Sequence, residues 1–307
     1  MKRIKPIFWK KRNILSFLFI PLSIFTYLIN LFKKILVKKN FSIKTICVGN
    51  IYVGGTGKTP LSIKINNMLK KKYKTVFIKK KYNYQYDEQN LLKTYGNVII
   101  ANQRKKALKI AQNNKYNIAI MDDGLQEKSI NYDITIACFN TSEGIGNGLI
   151  IPSGPLRENI SEIKNYDAVF LNGEKKNIKL NKLLKKINKN LKIFEGKYVP
   201  LNLKKFNRNK NFITFSGLGN PDEFEKTLKK YKFKIKEKLI FPDHHKFSNS
   251  EIIKIKKIAK NKNLEIVTSE KDYYRLNKKN KKNIKFLKIE LQIKNKKKFS
   301  QFIENKI

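Results

Sequence analysis

Short runs of β-branched and aromatic residues alternate with segments of helical periodicity from about residue 40 onward. The first six runs are KTICV (44–48), KTVFI (74–78), NVIIA (97–101), NIAIM (117–121), DITIAC (133–138) and YDAVFL (166–171). Such short runs with few charges predict buried strands. Between several of them, apolar residues recur at helical spacing, as at Leu61, Ile65, Met68 and Leu69. Strands separated by helices predict an α/β fold in which a parallel sheet carries helices on both faces.

A second alternation begins near residue 210 and predicts a smaller α/β domain. Its elements are FITF (212–215), a helix from Pro221, KLIF (238–241), a helix from Ser248, EIVT (265–268), a further helix and FLKIEL (286–291). Ser248 and Glu251 form a capping-box pattern at the start of one helix. The lysine- and asparagine-rich stretch from about 174 to 190 and the segment 197–209 are candidate boundary material. We expect an N-terminal segment 1–40, a nucleotide-binding domain 41–196 and a C-terminal domain 197–307 with linker strands.

The N-terminal residues 14–32 form 19 consecutive positions without a charge, long enough for a spanning helix. Basic residues lie on both sides of the stretch, so its orientation is undefined, and Pro21 is expected to kink or split a helix. Three interpretations remain: a spanning anchor, a helix or hairpin in the membrane interface, or a helix buried against the protein. Flanking lysines favour contact with an anionic membrane surface. We therefore expect an apolar, membrane-associating N-terminal helix.

The formal net charge of +45 first suggests a nucleic-acid partner. Only six of the 68 basic residues are arginine, however, and the lysines are scattered through nearly every segment. This distribution indicates a chain-wide drift in composition, and we expect no nucleic-acid partner. Cys47 and Cys138 lie in apolar runs without a CxxC spacing, which predicts buried, reduced thiols.

The stretch YVGGTGKTP (52–60) resembles a phosphate-binding loop, except that Tyr52 stands where the usual pattern opens with glycine. Backbone N–H groups and a helix N-terminus bind the phosphates in such a loop, while Lys58 and Thr59 occupy the positions that reach phosphate and Mg²⁺. None of these tasks belongs to the first position, and the loop lies between a predicted strand and a predicted helix. The predicted nucleotide-binding residues are Tyr52, Val53, Gly54, Gly55, Thr56, Gly57, Lys58 and Thr59.

Asp122 and Asp123 follow the predicted strand 117–121 directly. Ligands bind at the carboxyl edge of an open parallel sheet, where a carboxylate can hold Mg²⁺. A turn or helix cap is the alternative, because Asp-Asp-Gly is common in turns. Together with the loop, the pair favours a magnesium role shared with Thr59.

Six motifs, taken in order along the chain, resemble the tetraacyldisaccharide 4'-kinase (lipid A 4'-kinase) family. They are GNIYVGGTGKTP, DDGLQ, GNGLIIPSGPLRE (146–158), FSGLGNPDEF (215–224), FPDHH (241–245) and TSEKD (268–272). The resemblance implies two α/β/α domains joined by a two-stranded linker. It also implies transfer of the γ-phosphate of ATP, with Mg²⁺, to the 4'-hydroxyl of a tetraacyldisaccharide 1-phosphate at the cytoplasmic face of the bacterial inner membrane. That family's loop is itself not strict at the position of Tyr52.

The resemblance also implies roles for single residues. Asp87 matches the catalytic carboxylate, His244 matches its imidazole partner, and Lys58 acts on the phosphates. Glu88 is expected to assist at the magnesium. Asn50 and Arg157 are assigned to the substrate. For Arg157 the reason is its rarity: a planar, bidentate phosphate grip explains an arginine in a lysine-rich chain. The alternative for Arg157 is a surface ion pair with Glu158.

The sequence departs from the family pattern at two places. Lys79, Lys80 and Lys81 stand where Ser-Arg-Gly usually precedes tyrosine, and Glu127 stands where histidine often follows the DDGLQ motif. Lys80 can supply the charge of the missing arginine but not its fork geometry. These departures imply altered substrate contacts or a weakened enzyme. A separate alternative function is a membrane-associated phosphate-loop ATPase that acts on a protein partner. A guanine-specificity motif of the N-K-x-D type is missing from its expected place, which disfavours a GTPase.

Overall fold

A computed structural model describes residues 6–81, 86–243 and 245–307, with the side chains of residues 86 and 87 left out of the description. The described chain divides into two compact units. The larger contains residues 6–81, 92–198 and 291–307, and the smaller contains residues 86–91 and 199–290. The division into domains at 1–40, 41–196 and 197–307 stays a prediction.

The larger sheet has eight strands in the order β12-β7-β6-β5-β1-β4-β2-β3. They are β1 Lys44–Gly49, β2 Thr75–Lys80, β3 Val98–Ala101, β4 Ile118–Asp122, β5 Ile134–Asn140, β6 Ala168–Asn172, β7 Lys192–Pro200 and β12 Ile289–Ile293. All pairs from β3 to β7 are parallel, so the six predicted strands are confirmed. The chain passes between the two units within β7 and β12, which are neighbours at the sheet edge.

Helices cover both faces of this sheet, as predicted. The α-helices among the described residues are α1 Ile14–Leu18, α2 Ile20–Ile35, α3 Lys58–Leu69, α4 Tyr86–Lys93, α5 Arg104–Asn113, α6 Ile178–Ile187, α7 Pro221–Lys230, α8 Asn249–Asn261, α9 Glu270–Arg275 and α10 Lys296–Glu304. Apolar residues of α5 and α6 pack with Cys47 of β1 on one face. Residues of α3 and α10 pack with its neighbours Ile46 and Val48 on the other. The alternation along β1 follows from the two-residue period of a strand, which sends successive side chains to opposite faces.

The smaller unit contains a four-stranded parallel sheet in the order β11-β10-β8-β9. Its strands are β8 Asn211–Ser216, β9 Lys234–Ile240, β10 Glu265–Ser269 and β11 Ile284–Leu287. Helix α8 packs on one face and α7 on the other. Ser248 and Glu251 form the predicted capping box at the start of α8. The prediction of a second, smaller α/β unit is confirmed.

Two details of the sequence interpretation were wrong. The stretch 174–190 was expected to be boundary material, yet it forms α6, whose Leu180 and Leu184 are buried against the sheet. The single predicted strand FLKIEL is two strands, β11 and β12, separated at Lys288. In the stretch 174–190, the helical spacing of two leucines that pack into the core stabilises a helix despite the polar composition.

The N-terminal apolar stretch is broken at Phe19, between α1 and α2, and Pro21 lies in the first turn of α2. None of the helices in the described ranges combines the length and the apolar character needed to cross a membrane. Apolar side chains of both helices are exposed, among them Phe25 and Phe32 at 66% and 68%. These helices therefore present an apolar surface to the outside of the larger unit.

Buried polar contacts attach these helices to the segment 147–157. The Ser23 hydroxyl lies 2.8 Å from the Ile150 carbonyl oxygen and 2.7 Å from Ser153 Oγ, and it accepts the Ser153 N–H at 3.1 Å. The Trp9 indole N–H donates to the Pro152 carbonyl at 2.9 Å. An apolar helix is thus fixed by polar contacts that it makes on its protein-facing side.

Substitution of Ser23 by alanine is expected to lower the free energy of unfolding by about 1–3 kcal/mol, because buried partners of the hydroxyl lose their hydrogen bonds. Chemical denaturation measures this change, and limited proteolysis should show faster cleavage near residues 10–35. Thr26→Ala is the matched control, since the exposed Thr26 hydroxyl contacts only its own helix at 3.4 Å. Equal stability and equal cleavage of the two variants would contradict the proposed attachment.

Candidate active site

The carboxyl edge of the larger sheet brings two of the predicted motifs together. Strand β1 lies between β4 and β5 in parallel register, with Val48 opposite Asp122. The loop that leaves β1 and the aspartates that end β4 therefore emerge side by side. This is the edge at which open α/β sheets bind ligands.

The loop after β1 has the backbone geometry of a phosphate-binding loop. Gly54 and Gly57 have φ angles of 136° and 90°, in the region that favours glycine, and Gly57 caps the N-terminus of α3. A Cβ at Gly57 would also lie 2.8 Å from Asn172 Nδ2, so the backbone angle and the close side chain both favour glycine there. Lys58 and Thr59 occupy the first turn of α3, whose free N–H groups favour anions.

The Asn50 side chain organises the interior of this loop. It is fully buried, and its Nδ2 donates to the Tyr52 carbonyl at 2.6 Å and to Thr56 Oγ1 at 3.0 Å. The backbone carbonyl oxygen of Asn50 accepts Gln126 Nε2 at 2.9 Å, which joins the loop to the DDGLQ motif. In the structure, Asn50 thus supports the loop from inside. Its assignment to the substrate stays a prediction.

Tyr52 anchors the loop at its outer side. Its hydroxyl donates to Glu143, and its backbone pairs with Leu156 in an isolated antiparallel bridge. Burial, together with the hydrogen bond to Glu143, holds the pKa of the phenol far above its ordinary value of 10, so the group is a neutral donor. The neighbouring Val53 N–H donates to the Pro155 carbonyl at 2.8 Å. Tyrosine at this position therefore connects the loop to the segment 155–157.

Asp122 lies at the centre of a buried polar group. One of its oxygens, Oδ2, accepts Thr59 Oγ1 at 3.1 Å and Lys79 Nζ at 2.6 Å, and Oδ1 accepts Ser62 Oγ at 3.4 Å. Its side chain is 0% exposed and that of Lys79 is 1% exposed. A charge buried to this degree needs a partner of opposite sign, because desolvation of an unpaired ion is very costly.

Asp123 is held between cations. Arg157 Nη1 lies 2.8 Å from Asp123 Oδ1, and Lys58 Nζ lies 3.9 Å from Oδ2. The residue has a φ of 66°, and Arg104 donates to its carbonyl oxygen. Arg157 also donates to Gln126 Oε1 at 3.2 Å, while Glu158 bonds Tyr166 and Lys128 instead. The alternative of an Arg157–Glu158 surface pair is therefore wrong.

The donor chemistry of this group suits Mg²⁺ and a polyphosphate. The hydroxyl of Thr59 and the carboxylates of Asp122 and Asp123 are the hard oxygen ligands that Mg²⁺ prefers. Two buried amides offer further polar atoms that a ligand could contact. Asn50 Oδ1 and both polar side-chain atoms of Asn172 have no hydrogen-bond partner among the described residues. Within the same described residues, no cluster of three or more His, Cys, Asp or Glu side chains could hold a metal. The site therefore offers few acidic ligands of its own.

The predicted catalytic pair, Asp87 and His244, lies outside the side chains that the structure describes. Its neighbours are described, and both belong to the smaller unit. Glu88 Oε1 lies 3.2 Å from Lys271 Nζ, and Asp243 Oδ1 lies 3.8 Å from the same nitrogen. His245 Nε2 lies 3.0 Å from Glu251, at the start of α8. One lysine of the TSEKD motif thus contacts the residue after Asp87 and the residue before His244.

Several residues of this region were not predicted from sequence. They are Lys79, Arg104, Gln126, Glu143, Asn172 and Lys271. The sequence shows Lys79 only as part of a departure from the family pattern. Its burial in β2, beside Asp122, cannot be recognised from the sequence of a chain so rich in lysine. Arg104 could have been singled out, because arginine is rare here. Burial raises the pKa of the Cys47 thiol to about 12, so neither this cysteine nor the equally buried Cys138 resembles a nucleophile.

Comparison with known proteins assigns the chain to a family. The model of the tetraacyldisaccharide-1-P 4'-kinase family, LpxK, matches residues 14–307. The chain belongs to the LpxK family.

Two curated relatives named tetraacyldisaccharide 4'-kinase agree with this assignment. The protein of Pelagibacter ubique (strain HTCC1062) is 46% identical over 297 residues, which are 95% of each chain. That of Rickettsia canadensis (strain McKiel) is 33% identical over 315 residues, covering 96% of this chain and 95% of the relative. A crystal structure of the "apo" form of LpxK from Aquifex aeolicus in complex with ATP has a TM-score of 0.71 at 22% identity. The match covers 95% of this chain and 99% of that one, and it supports the LpxK fold.

Replacement of Tyr52 by phenylalanine tests whether this LpxK family member needs the tyrosine as an anchor or as a ligand. We expect a loss of about 1–2 kcal/mol in unfolding free energy, because the hydrogen bond to Glu143 disappears. The affinity for an ATP analogue should fall less than about tenfold, since the backbone contacts of the loop remain. Denaturation and calorimetric titration measure both effects, with Tyr73→Phe, at the surface, as the control. A larger loss of affinity without a loss of stability would show that the hydroxyl binds nucleotide directly.

Proposed function

We propose that this protein transfers the γ-phosphate of ATP to the 4'-hydroxyl of a tetraacyldisaccharide 1-phosphate, a step of lipid A biosynthesis. The observation that carries the proposal is the phosphate loop at the N-terminus of α3, adjacent to Asp122 and Asp123, in a chain of the LpxK family. The relatives' names give the same acceptor, and the Aquifex aeolicus protein was crystallised in complex with ATP.

Phosphoryl transfer depends on positioning and on charge stabilisation, and this site supplies both. The N–H groups of residues 54–59 would bind phosphate oxygens of ATP, and Lys58 would supply a cation beside them. Thr59, Asp122 and Asp123 would hold Mg²⁺, which when bound neutralises charge on the transferred phosphoryl group. Arg157 lies against Asp123 and offers its remaining N–H groups to a phosphate of either substrate. Asn50 keeps the loop in shape.

Asp87 and His244 are proposed as the base and its positioning partner. Asp87 would accept or orient the proton of the attacking 4'-hydroxyl, and His244 would hydrogen-bond that carboxylate. Support comes from Lys271, which contacts Glu88 and Asp243, the neighbours of the two residues. Glu88 is proposed to assist at the magnesium, a role for which it would have to exchange Lys271 for the metal.

The kinase proposal is tested by mass analysis of the lipid. Purified protein is incubated with Mg-ATP and a tetraacyldisaccharide 1-phosphate in mixed micelles, and the lipid should gain the mass of one phosphate. Lys58→Ala should lower the rate about 100-fold or more, because the charge on the phosphates loses its fixed partner. Asp87→Asn should lower it about 100- to 10,000-fold, the usual contribution of a general base.

Lys64→Ala, on the same helix as Lys58, and Asp222→Asn, on α7, are the matched controls and should retain full activity. ATP consumption with an unchanged lipid mass would contradict the kinase and favour the alternative, a membrane-associated phosphate-loop ATPase acting on a protein.

The site of action is proposed to be the cytoplasmic face of the bacterial inner membrane. Helices α1 and α2 expose apolar side chains, and Lys10, Lys11 and Lys33 lie at their ends. An apolar surface bordered by lysines fits the interface of an anionic membrane, where the acyl chains of the substrate reside. No nucleic-acid partner is proposed, because the lysines are spread over the whole chain.

Replacing both Phe25 and Phe32 by serine should weaken binding to anionic vesicles at least about tenfold, since each exposed ring contributes about 1.5–3 kcal/mol when buried in the interface. Vesicle co-sedimentation measures the binding, and circular dichroism checks the fold. Ile253→Ser is the control, because Ile253 is 64% exposed on α8 of the smaller unit. Unchanged binding of the double variant would contradict an interfacial role for α2.

A further inference from the structure

Lys79 is a buried cation that lies beside Asp122, a carboxylate of the proposed magnesium site. It leaves β2 beside Asp122, because β2 and β4 pair in parallel with Ile78 opposite Met121. Its ammonium group lies 2.6 Å from Asp122 Oδ2, and the side chain is 1% exposed. The same oxygen accepts Thr59 Oγ1, the hydroxyl expected to contact the metal. Lys79 therefore occupies one oxygen of a carboxylate that Mg²⁺ would otherwise use.

The second carboxylate, Asp123, also lies beside cations. Arg157 Nη1 lies 2.8 Å from Asp123 Oδ1, and Lys58 Nζ lies 3.9 Å from Oδ2. Lys79, Arg157 and Lys58 thus place three positive charges within 4.0 Å of two negative ones. A divalent cation entering this group alone meets a net positive environment, and Coulomb repulsion opposes its binding.

A polyphosphate reverses this balance. Its several negative charges bind at the loop and at Lys58, and they provide oxygen ligands that the protein lacks. We propose that Lys79 makes metal binding conditional on nucleotide: the site takes a divalent cation only as a complex with the polyphosphate and excludes the bare metal. Lys79 is thus a positioning residue that sets the metal dependence. The inference rests on the proposed nucleotide-binding function of the loop.

A purely structural role for Lys79 is the competing explanation. A lysine that only neutralises a buried charge would change stability when replaced, but would leave the affinity for free metal unchanged. Lys79→Met removes the charge and keeps most of the volume, which exposes Asp122 to the metal. Lys79→Arg keeps the charge and should behave as the wild type. Lys44→Met is the matched surface control, because it removes a lysine that is also paired with an aspartate but lies at the surface. Lys44 Nζ lies 3.4 Å from Asp133 Oδ1, and the Lys44 side chain is 47% exposed.

The experiment measures free Mn²⁺ by electron paramagnetic resonance during titration of the full chain, with and without a non-hydrolysable ATP analogue. The Mn²⁺ that the analogue chelates in the absence of protein is measured separately and subtracted. The wild type should bind Mn²⁺ at least about tenfold more tightly with the analogue than without it. Lys79→Met should bind Mn²⁺ alone at least about tenfold more tightly than the wild type, so that the coupling to nucleotide shrinks. Lys79→Arg and Lys44→Met should show the wild-type pattern.

Two results would overturn the inference: equal Mn²⁺ affinity of the wild type with and without the analogue, or no gain of metal-alone binding in Lys79→Met. The wild-type comparison needs no variant, so equal affinities overturn the inference even where Lys79→Met does not fold. Failure of the wild type to bind the analogue in the presence of Mn²⁺ would instead overturn the proposed nucleotide function. Analogue binding combined with tight binding of Mn²⁺ alone overturns only the role of Lys79.

Discussion

The parallel pairing of β1 with β4 is the constraint on which the site depends. It places the loop that follows Gly49 and the aspartates that end β4 at one edge of the sheet, with their side chains within hydrogen-bonding distance. Helices on both faces keep this sheet buried, so the polar groups at its edge meet a partly desolvated environment. Charge interactions are stronger there than in water. The contacts of Asp122 with Thr59 and of Asp123 with Lys58 follow from this placement.

In this lysine-rich chain, arginine occurs at positions where a side chain donates hydrogen bonds in defined directions. Four of its six arginines, Arg12, Arg104, Arg157 and Arg275, donate to backbone carbonyls or carboxylates at defined positions. A planar guanidinium can contact two acceptors at once, which the single ammonium of lysine cannot reproduce in the same directions. Because the composition has drifted so far towards lysine, the remaining arginines indicate positions with a defined hydrogen-bonding role. The net charge indicates no particular partner or site.

The strands, the loop and the aspartates could be predicted because each has a local pattern: a β-branched run, a glycine-rich turn, or a carboxylate directly after a strand. Lys79 could not be, because nothing local separates a buried lysine from the exposed lysines beside it. Its environment is created by Asp122 and Thr59, which are distant in sequence. The helix α6 was missed for the converse reason. Its polar composition hid two leucines whose burial depends on the sheet beneath them.

The N-terminal helices and the phosphate site are linked through the segment 147–157. Asn30 of α2 donates its side-chain N–H to the Arg157 carbonyl oxygen at 2.8 Å, and the Arg157 guanidinium binds Asp123. On the other side, the Arg157 N–H donates to the Ile51 carbonyl at 2.8 Å, beside the loop. A helix that exposes apolar side chains thus bonds the backbone of Arg157, the residue whose guanidinium contacts Asp123. Because these contacts are short and partly buried, a shift of α2 would change the position of Arg157 before it changed that of Asp122, which Lys79 holds from within the sheet.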